Sequence, residues 1–339
     1  MRCINRPLAS CLSLMLCILL LTGCAARKTE FSNHYNLYGN TDITNINADS
    51  DSGGAQITYF SENLCVGGVQ NLGLDTVNSQ IAQGAGVFCL ATGEIPYAQN
   101  IYERMYPAST TKILTAYIAL TYGNPDDVVT ISENAVTLDD ASSVCGVAAG
   151  DQMSLRDLVY GLMLRSGNDA AIAIAEHISG STEAFAEIMN REAYAMGATG
   201  SHFVNPNGLP DENHYTTVYD MYLIFQTAIL NPDFCEIIRT TEYTTNYILA
   251  DGTENSMTWG TTNRYQNGQQ TAPEGITVIG GKTGTTGDAG HCLVLLSVND
   301  EGEQIISIIF KADSRGNLYL LMNELLEKYG IKGALSQNT

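Results

Sequence analysis

Ser109-Thr110-Thr111-Lys112 follows Pro107 and opens a stretch rich in Ala, Leu and Ile. On a helix, positions i and i+3 share a face, so the Lys112 amine can reach the Ser109 hydroxyl. A serine attacks an amide only when a base takes its proton, and a lysine serves if its pKa is driven down. The first backbone N–H groups of the same helix suit a developing oxyanion. Of the six lysines, Lys112 is the only one with a serine three residues before it. Ser166-Gly167-Asn168 falls between two apolar segments, where a serine and an amide would otherwise disturb packing. As a bare Ser-x-Asn it is common here, at Ser61, Ser132, Ser297 and Ser336 as well, and taken alone it reads first as a helix cap. Lys282-Thr283-Gly284-Thr285 lies between Gly280-Gly281 and Gly287. A lysine beside a threonine hydroxyl on a strand edge suits a terminal carboxylate, and Gly284 would let a substrate backbone approach. A Gly-rich hairpin turn is the plain alternative.

These residues need elements to hold them. The sequence predicts a hairpin over 86–97 with a Thr92-Gly93 turn. It predicts a buried helix over 113–122 and two helices over 155–164 and 170–178, separated by the Ser166 tripeptide. Strands are expected at 276–279, 292–298 and 304–310, the last two joined by Asn299-Asp300-Glu301-Gly302. A closing helix over 317–329 carries Leu318, Leu321, Met322, Leu325 and Leu326 on one face. Strands at both ends with helices between them point to an α+β body, its sheet joining the N- and C-terminal segments around an inserted helical region.

Composition narrows the function classes. Sixteen Lys+Arg against 36 Asp+Glu give a formal charge of −20, unsuited to neutralising phosphates, so no nucleic acid is expected. The five histidines (His34, His177, His202, His214 and His291) lie far apart with no helical metal spacing, which disfavours a zinc hydrolase. Arg2 and Arg6 precede an uncharged run over 8–21, too short for a spanning helix and proportioned like a secretory h-region. Leu21-Thr22-Gly23-Cys24 resembles the bacterial lipobox, in which the cysteine is lipidated and becomes the mature N-terminus. An ordinary cleavage near Ala25 or Ala26 is the alternative. The expected organisation is a lipoprotein signal peptide over 1–23, a polar flexible linker or arm over 24–75, a catalytic domain over 76–331 and a tail over 332–339. Residues 56–75 are open to packing on the body as an irregular arm. Beyond Cys24, the cysteines Cys65, Cys89, Cys145, Cys235 and Cys292 are odd in number and form no CxxC, and read mainly as buried thiols.

Ser-x-x-Lys, Ser-x-Asn and Lys-Thr-Gly in this order, about 55 and 115 residues apart, are the motif set of penicillin-binding proteins and class A β-lactamases. The wider stretches at 103–120, 157–178, 201–221 and 280–293 resemble the D-alanyl-D-alanine carboxypeptidases of the low-molecular-mass penicillin-binding proteins, serine peptidase family S11. The resemblance covers roughly residues 80–330. It implies a β-lactamase/transpeptidase-like fold, an antiparallel sheet flanked by helices. It implies Ser109 as the acyl-forming nucleophile, Lys112 as its base and Ser166 as a proton relay to the leaving D-alanine. Asn168 would meet the substrate amide, Lys282 and Thr283 its terminal carboxylate, and the backbone N–H groups of Ser109 and Thr285 its oxyanion. Lys282 near Lys112 would help keep Lys112 neutral. The implied partners are the peptidoglycan stem peptide and, as covalent inhibitors, β-lactams. No metal or organic cofactor is implied, and a monomer is expected.

Many relatives continue into a β-rich second domain and a membrane-seated amphipathic helix, whereas this sequence stops about ten residues after its last helix. A lipid on Cys24 would replace that anchor and hold the protein at the outer face of the bacterial cytoplasmic membrane. Thr285 stands where an aromatic residue or histidine is common, so the stem-peptide preference does not carry over. A β-lactamase, which in class A would bring a Glu-x-x-Leu-Asn not found between the second and third motifs, is one rival. A D,D-endopeptidase and a non-catalytic β-lactam-sensing or wall-binding module are the others.

Overall fold

In this computed structural model, which describes residues 64–139 and 141–331, Ala82–Cys89 (β1) and Glu94–Gln99 (β2) form the expected hairpin. β1 pairs antiparallel on its other side with Gln304–Ala312 (β9). That strand pairs with Gly290–Asn299 (β8), which pairs with Ile276–Thr286 (β7). The resulting five-stranded sheet, β2-β1-β9-β8-β7, joins the two ends of the body and leaves β7 at an edge. Its central strands are buried along nearly their whole length, which is why they read as apolar runs rather than alternating ones. The signal peptide, Cys24, the linker up to residue 63 and the tail over 332–339 lie outside the described residues.

Between β2 and β7 the chain builds the helical region. Lys112–Tyr122 (α1) is enclosed, with Ile113, Leu114, Ala116 and Ile118 inaccessible to solvent. Glu133–Val136 (α2) is short, and its Ser132 is the ordinary cap its Ser-Glu-Asn sequence suggests, accepting from the Ala135 N–H. Leu155–Leu164 (α3) starts at Ser154, whose hydroxyl accepts from the Asp157 N–H. Asn168–Ser179 (α4) follows the predicted break. Thr182–Ala195 (α5), Val218–Ala228 (α6) and Pro232–Arg239 (α7) complete the layer, capped by Ser181, Thr217 and Asn231. The insertion is not purely helical: Val128–Thr130 (β3), Gln152–Ser154 (β4), Glu242–Ile248 (β5) and Glu254–Gly260 (β6) form a second sheet in the order β3-β4-β5-β6.

Arg315–Leu325 (α8) closes the fold, its Ser314 hydroxyl accepting from the Asn317 N–H. Leu318, Leu321, Met322 and Leu325 pack against Ala85, Val87, Leu293 and Ile309 of the main sheet. The α-helix ends at Leu325, and Leu326–Gly330 winds wider as a π-helical turn, where one helix to residue 329 was expected. On the other face Phe88 stacks on Tyr222 of α6, with ring centroids 4.2 Å apart. Residues 64–75, grouped with the flexible linker in the sequence, lie on the body as an arm. Cys65 is buried, its N–H donates to the Tyr222 hydroxyl at 2.8 Å, and Leu72 forms a bridge to Ala98 of β2. All five body cysteines are free thiols.

Candidate active site

Pro107 leads into a short 3₁₀ turn over Ala108–Thr111, and α1 starts only at Lys112. The nucleophile candidate therefore sits on a 3₁₀ turn rather than on the first turn of the α-helix. With three residues per turn, i and i+3 eclipse, which stacks Lys112 on Ser109. The Lys112 Nζ lies 3.0 Å from Ser109 Oγ, 2.7 Å from Asn168 Oδ1 and 2.7 Å from the Asn207 carbonyl. Lys112 is fully buried, while Ser109 keeps part of its surface open. Burial pushes the Lys112 amine well below its ordinary 10.5, the nearby Lys282 charge pushes it further, and Asp169 opposes both. A neutral amine has two hydrogens and one lone pair. The Asn168 and Asn207 oxygens can only accept, so they take the hydrogens and the lone pair falls toward the Ser109 hydroxyl.

The second tripeptide bridges the two lysines. Ser166 sits between α3 and α4 with φ +60°, a left-handed conformation that costs a non-glycine residue energy. It aims the hydroxyl at Lys282, whose Nζ donates to Ser166 Oγ at 3.0 Å and to the Thr283 carbonyl at 2.9 Å. Asn168, two residues on, serves Lys112 instead. Gly167 occupies the N-cap of α4 without a side-chain bond, so neither Ser166 nor Asn168 is the helix cap that the bare sequence allowed. On β7 the alternation of the strand turns Lys282 and Gly284 inward and leaves Thr283 and Thr285 more open. Burial alone lowers Lys282 to about 7.

Two glycines permit this assembly. A Cβ on Gly284 would come within 3.0 Å of the Ser109 nitrogen and 3.1 Å of the Pro107 carbonyl. The close approach at Gly284 is thus by the nucleophile turn, where a substrate backbone was expected. Gly208 has φ +85°, and a Cβ there would fall 1.9 Å from the Ala108 carbonyl oxygen. Beside it Thr115 Oγ1 donates to the Pro206 carbonyl at 2.6 Å, and the His214 ring meets Thr111 Oγ1 at 2.8 Å. Burial lowers His214 to about 4, so this buried histidine is a neutral strut. Behind Asn168, the buried Asp169 carboxylate accepts from the N–H groups of Cys145, Gly146 and Ala170, and the Asn168 N–H donates to the Ser143 carbonyl. These bonds fix a loop that walls the site.

Ser109 stands where two cavities meet. One, about 150 Å³, is lined by Ser166, Thr283, Gly284, Thr285, His291 and Arg315 among others. The other, about 240 Å³, is lined by Asp139, Ser143, Asn168, Asn207, Pro210 and Thr285 among others. Every predicted body residue, from Ser109 to Thr285, is thereby brought to one cleft. Cys24 lies outside the described residues. Sequence reading missed the Asn207 carbonyl, a backbone group whose only trace is the turn signal Asn205-Pro206-Asn207-Gly208. It also missed Asp169, hidden in an ordinary helix start, and Arg315, placed just ahead of the predicted closing helix. No group of His, Cys, Asp and Glu among the described residues is arranged to hold a metal ion.

The chain is 34% identical over 233 residues to D-alanyl-D-alanine carboxypeptidase DacF of Bacillus subtilis, covering 66% of this chain and 55% of that one. It is 31% identical over 273 residues to D-alanyl-D-alanine carboxypeptidase DacD of Escherichia coli, covering 76% of this chain and 66% of that one. It therefore spans roughly half to two thirds of the length of such relatives. Among solved structures, the Streptomyces K15 DD-transpeptidase superimposes with a TM-score of 0.67 at 28% identity, over 73% of this chain and 96% of that one. The D-alanyl-D-alanine carboxypeptidase DacD of Francisella tularensis does so with a TM-score of 0.64 at 30% identity, over 78% and 72%. The fold is that of these penicillin-binding enzymes, as the motif order implied. Because the family model for D-alanyl-D-alanine carboxypeptidase also matches residues 76–314, this chain belongs to peptidase family S11.

Proposed function

We propose that this chain is a serine-type D-Ala-D-Ala carboxypeptidase that removes the terminal D-alanine from peptidoglycan stem pentapeptides. The observation that carries the reading is the buried Lys112 amine, 3.0 Å from the Ser109 hydroxyl and pushed by burial well below its ordinary 10.5. Lys112 takes the Ser109 proton as Oγ attacks the penultimate D-alanine carbonyl. The tetrahedral oxyanion is met by the backbone N–H groups of Ser109 and Thr285, one such donor contributing about 2.7–4 kcal/mol. Ser166 passes a proton to the departing D-alanine nitrogen and is refilled from Lys282, whose pKa near 7 suits both giving and taking a proton. Water then attacks the acyl-enzyme, giving its proton back through Ser166 to Lys282 while Lys112 reprotonates Ser109. Asn168 meets the substrate amide. Thr283 and Arg315 receive the carboxylate, with Lys282 beneath them. Arg315 carries a permanent charge and no ion pair among the described residues.

β-Lactams acylate the same serine in this reading, and residues 1–24 support a lipid on Cys24 and a place at the outer face of the cytoplasmic membrane. D-alanine release from diacetyl-Lys-D-Ala-D-Ala tests the proposal. Wild type releases it and Ser109→Ala does not. Release by neither, with lasting penicillin labelling, would favour an endopeptidase or a sensor, and rapid loss of the label a β-lactamase.

A further inference from the structure

The two cavities at Ser109 differ in charge. Arg315 lines one and Asp139 the other, and the cavity with Asp139 has no lysine or arginine among its lining residues. Asp139 is exposed, and its carboxylate has no hydrogen bond or ion pair with another described residue. A peptide that places its terminal carboxylate at Thr283 and Arg315 leaves Ser109 on the opposite side. On the carboxypeptidase reading its acyl portion would pass Asn168 toward the cavity lined by Ser143, Pro210 and Asp139. At about 30 Å³ per water, a volume of about 240 Å³ is room enough for one extended side chain.

We infer that Asp139 selects stem peptides whose third residue carries a free side-chain ammonium, a diamino acid with an unsubstituted terminal amine, over peptides in which that amine is acylated. This rests on the carboxypeptidase reading, which sets the direction of the peptide. Acylation removes the cation and adds bulk, so the enzyme would favour stems that are not cross-linked through that amine. An exposed pair of this kind is modest and salt-sensitive, and the preference expected is about three- to fivefold.

The test compares kcat/KM for D-alanine release from Nα-acetyl-Lys-D-Ala-D-Ala and from Nα,Nε-diacetyl-Lys-D-Ala-D-Ala, at low and high salt. Wild type favours the free-amine peptide by about three- to fivefold, chiefly through KM, and the ratio shrinks as salt rises. In Asp139→Asn the ratio falls to about one, and in Asp139→Lys it inverts, which a purely structural role would not produce. Equal rates on both peptides in the wild type, or a preference that survives both substitutions, overturns the inference and leaves the carboxypeptidase reading standing. No D-alanine from either peptide overturns both.

Discussion

Burial pushes the Lys112 amine well below its ordinary 10.5 because its charge would have to leave water, and a lysine so lowered can serve as a base. Arginine at this place cannot lose its proton, so Lys112→Arg is expected to lower D-alanine release by about 10²–10⁴-fold while the fold persists. Steady-state kinetics beside a circular dichroism spectrum check this. Lys282 has a stability signature of its own. Its pKa is about 7 in the folded protein against an ordinary 10.5, so between those pH values the unfolded chain binds more protons. Stability therefore rises with pH through this window, by at most about 1.4 kcal/mol per pH unit. Lys282→Met removes the rise, and the variant's melting midpoint exceeds wild type most at pH 6.5 and least at pH 9. A constant difference would mean that Lys282 is charged in the fold.

At the scale of elements, the cleft is made where β7 meets the turn before α1, and Gly284 sets the separation. Gly284→Ala forces a methyl to 3.0 Å from the Ser109 nitrogen, at an overpacking cost of about 1–3 kcal/mol. We expect a melting midpoint a few degrees lower and acylation at least about tenfold slower, read by thermal melts and by penicillin labelling rates. Unchanged acylation would show that the separation is not set there. The elements of the main sheet and α1, α3 and α4 were legible because their apolar runs and the break at Ser166 are physical necessities of a two-sided core. β5 and β6 were not, since half of their residues are exposed and polar and neither strand holds an apolar run. The loop over 203–216 has no periodicity to read, and its main contribution, the Asn207 carbonyl, leaves no side-chain signature. Gly284 was legible as a close-approach site but not for its partner, because only the fold says which backbone arrives.

Across the whole molecule, the arm over 64–75 ties the N-terminal side of the body to β2 and α6. If Cys24 is lipidated, residues 25–63 stand between the lipid and that arm in the sequence. Labelled palmitate is expected to enter the wild-type chain in a bacterial host and to be absent from Cys24→Ala, which would appear in the soluble fraction. Equal labelling of both would place the lipid elsewhere or deny it. The signal pattern and Cys24 stay a proposal from the linear sequence, on which export chemistry acts. The charge asymmetry of the two cavities was not legible there, since Asp139 and Arg315 come from segments far apart in the chain.

The claim on which the rest depends is that Ser109 is the acylated residue. Penicillin incubated with the protein, followed by intact mass measurement and peptide mapping, addresses it directly. We expect one added β-lactam mass, carried by the peptide that contains Ser109 and absent from Ser109→Ala. An adduct on any other residue, or no adduct on folded protein, would contradict the account.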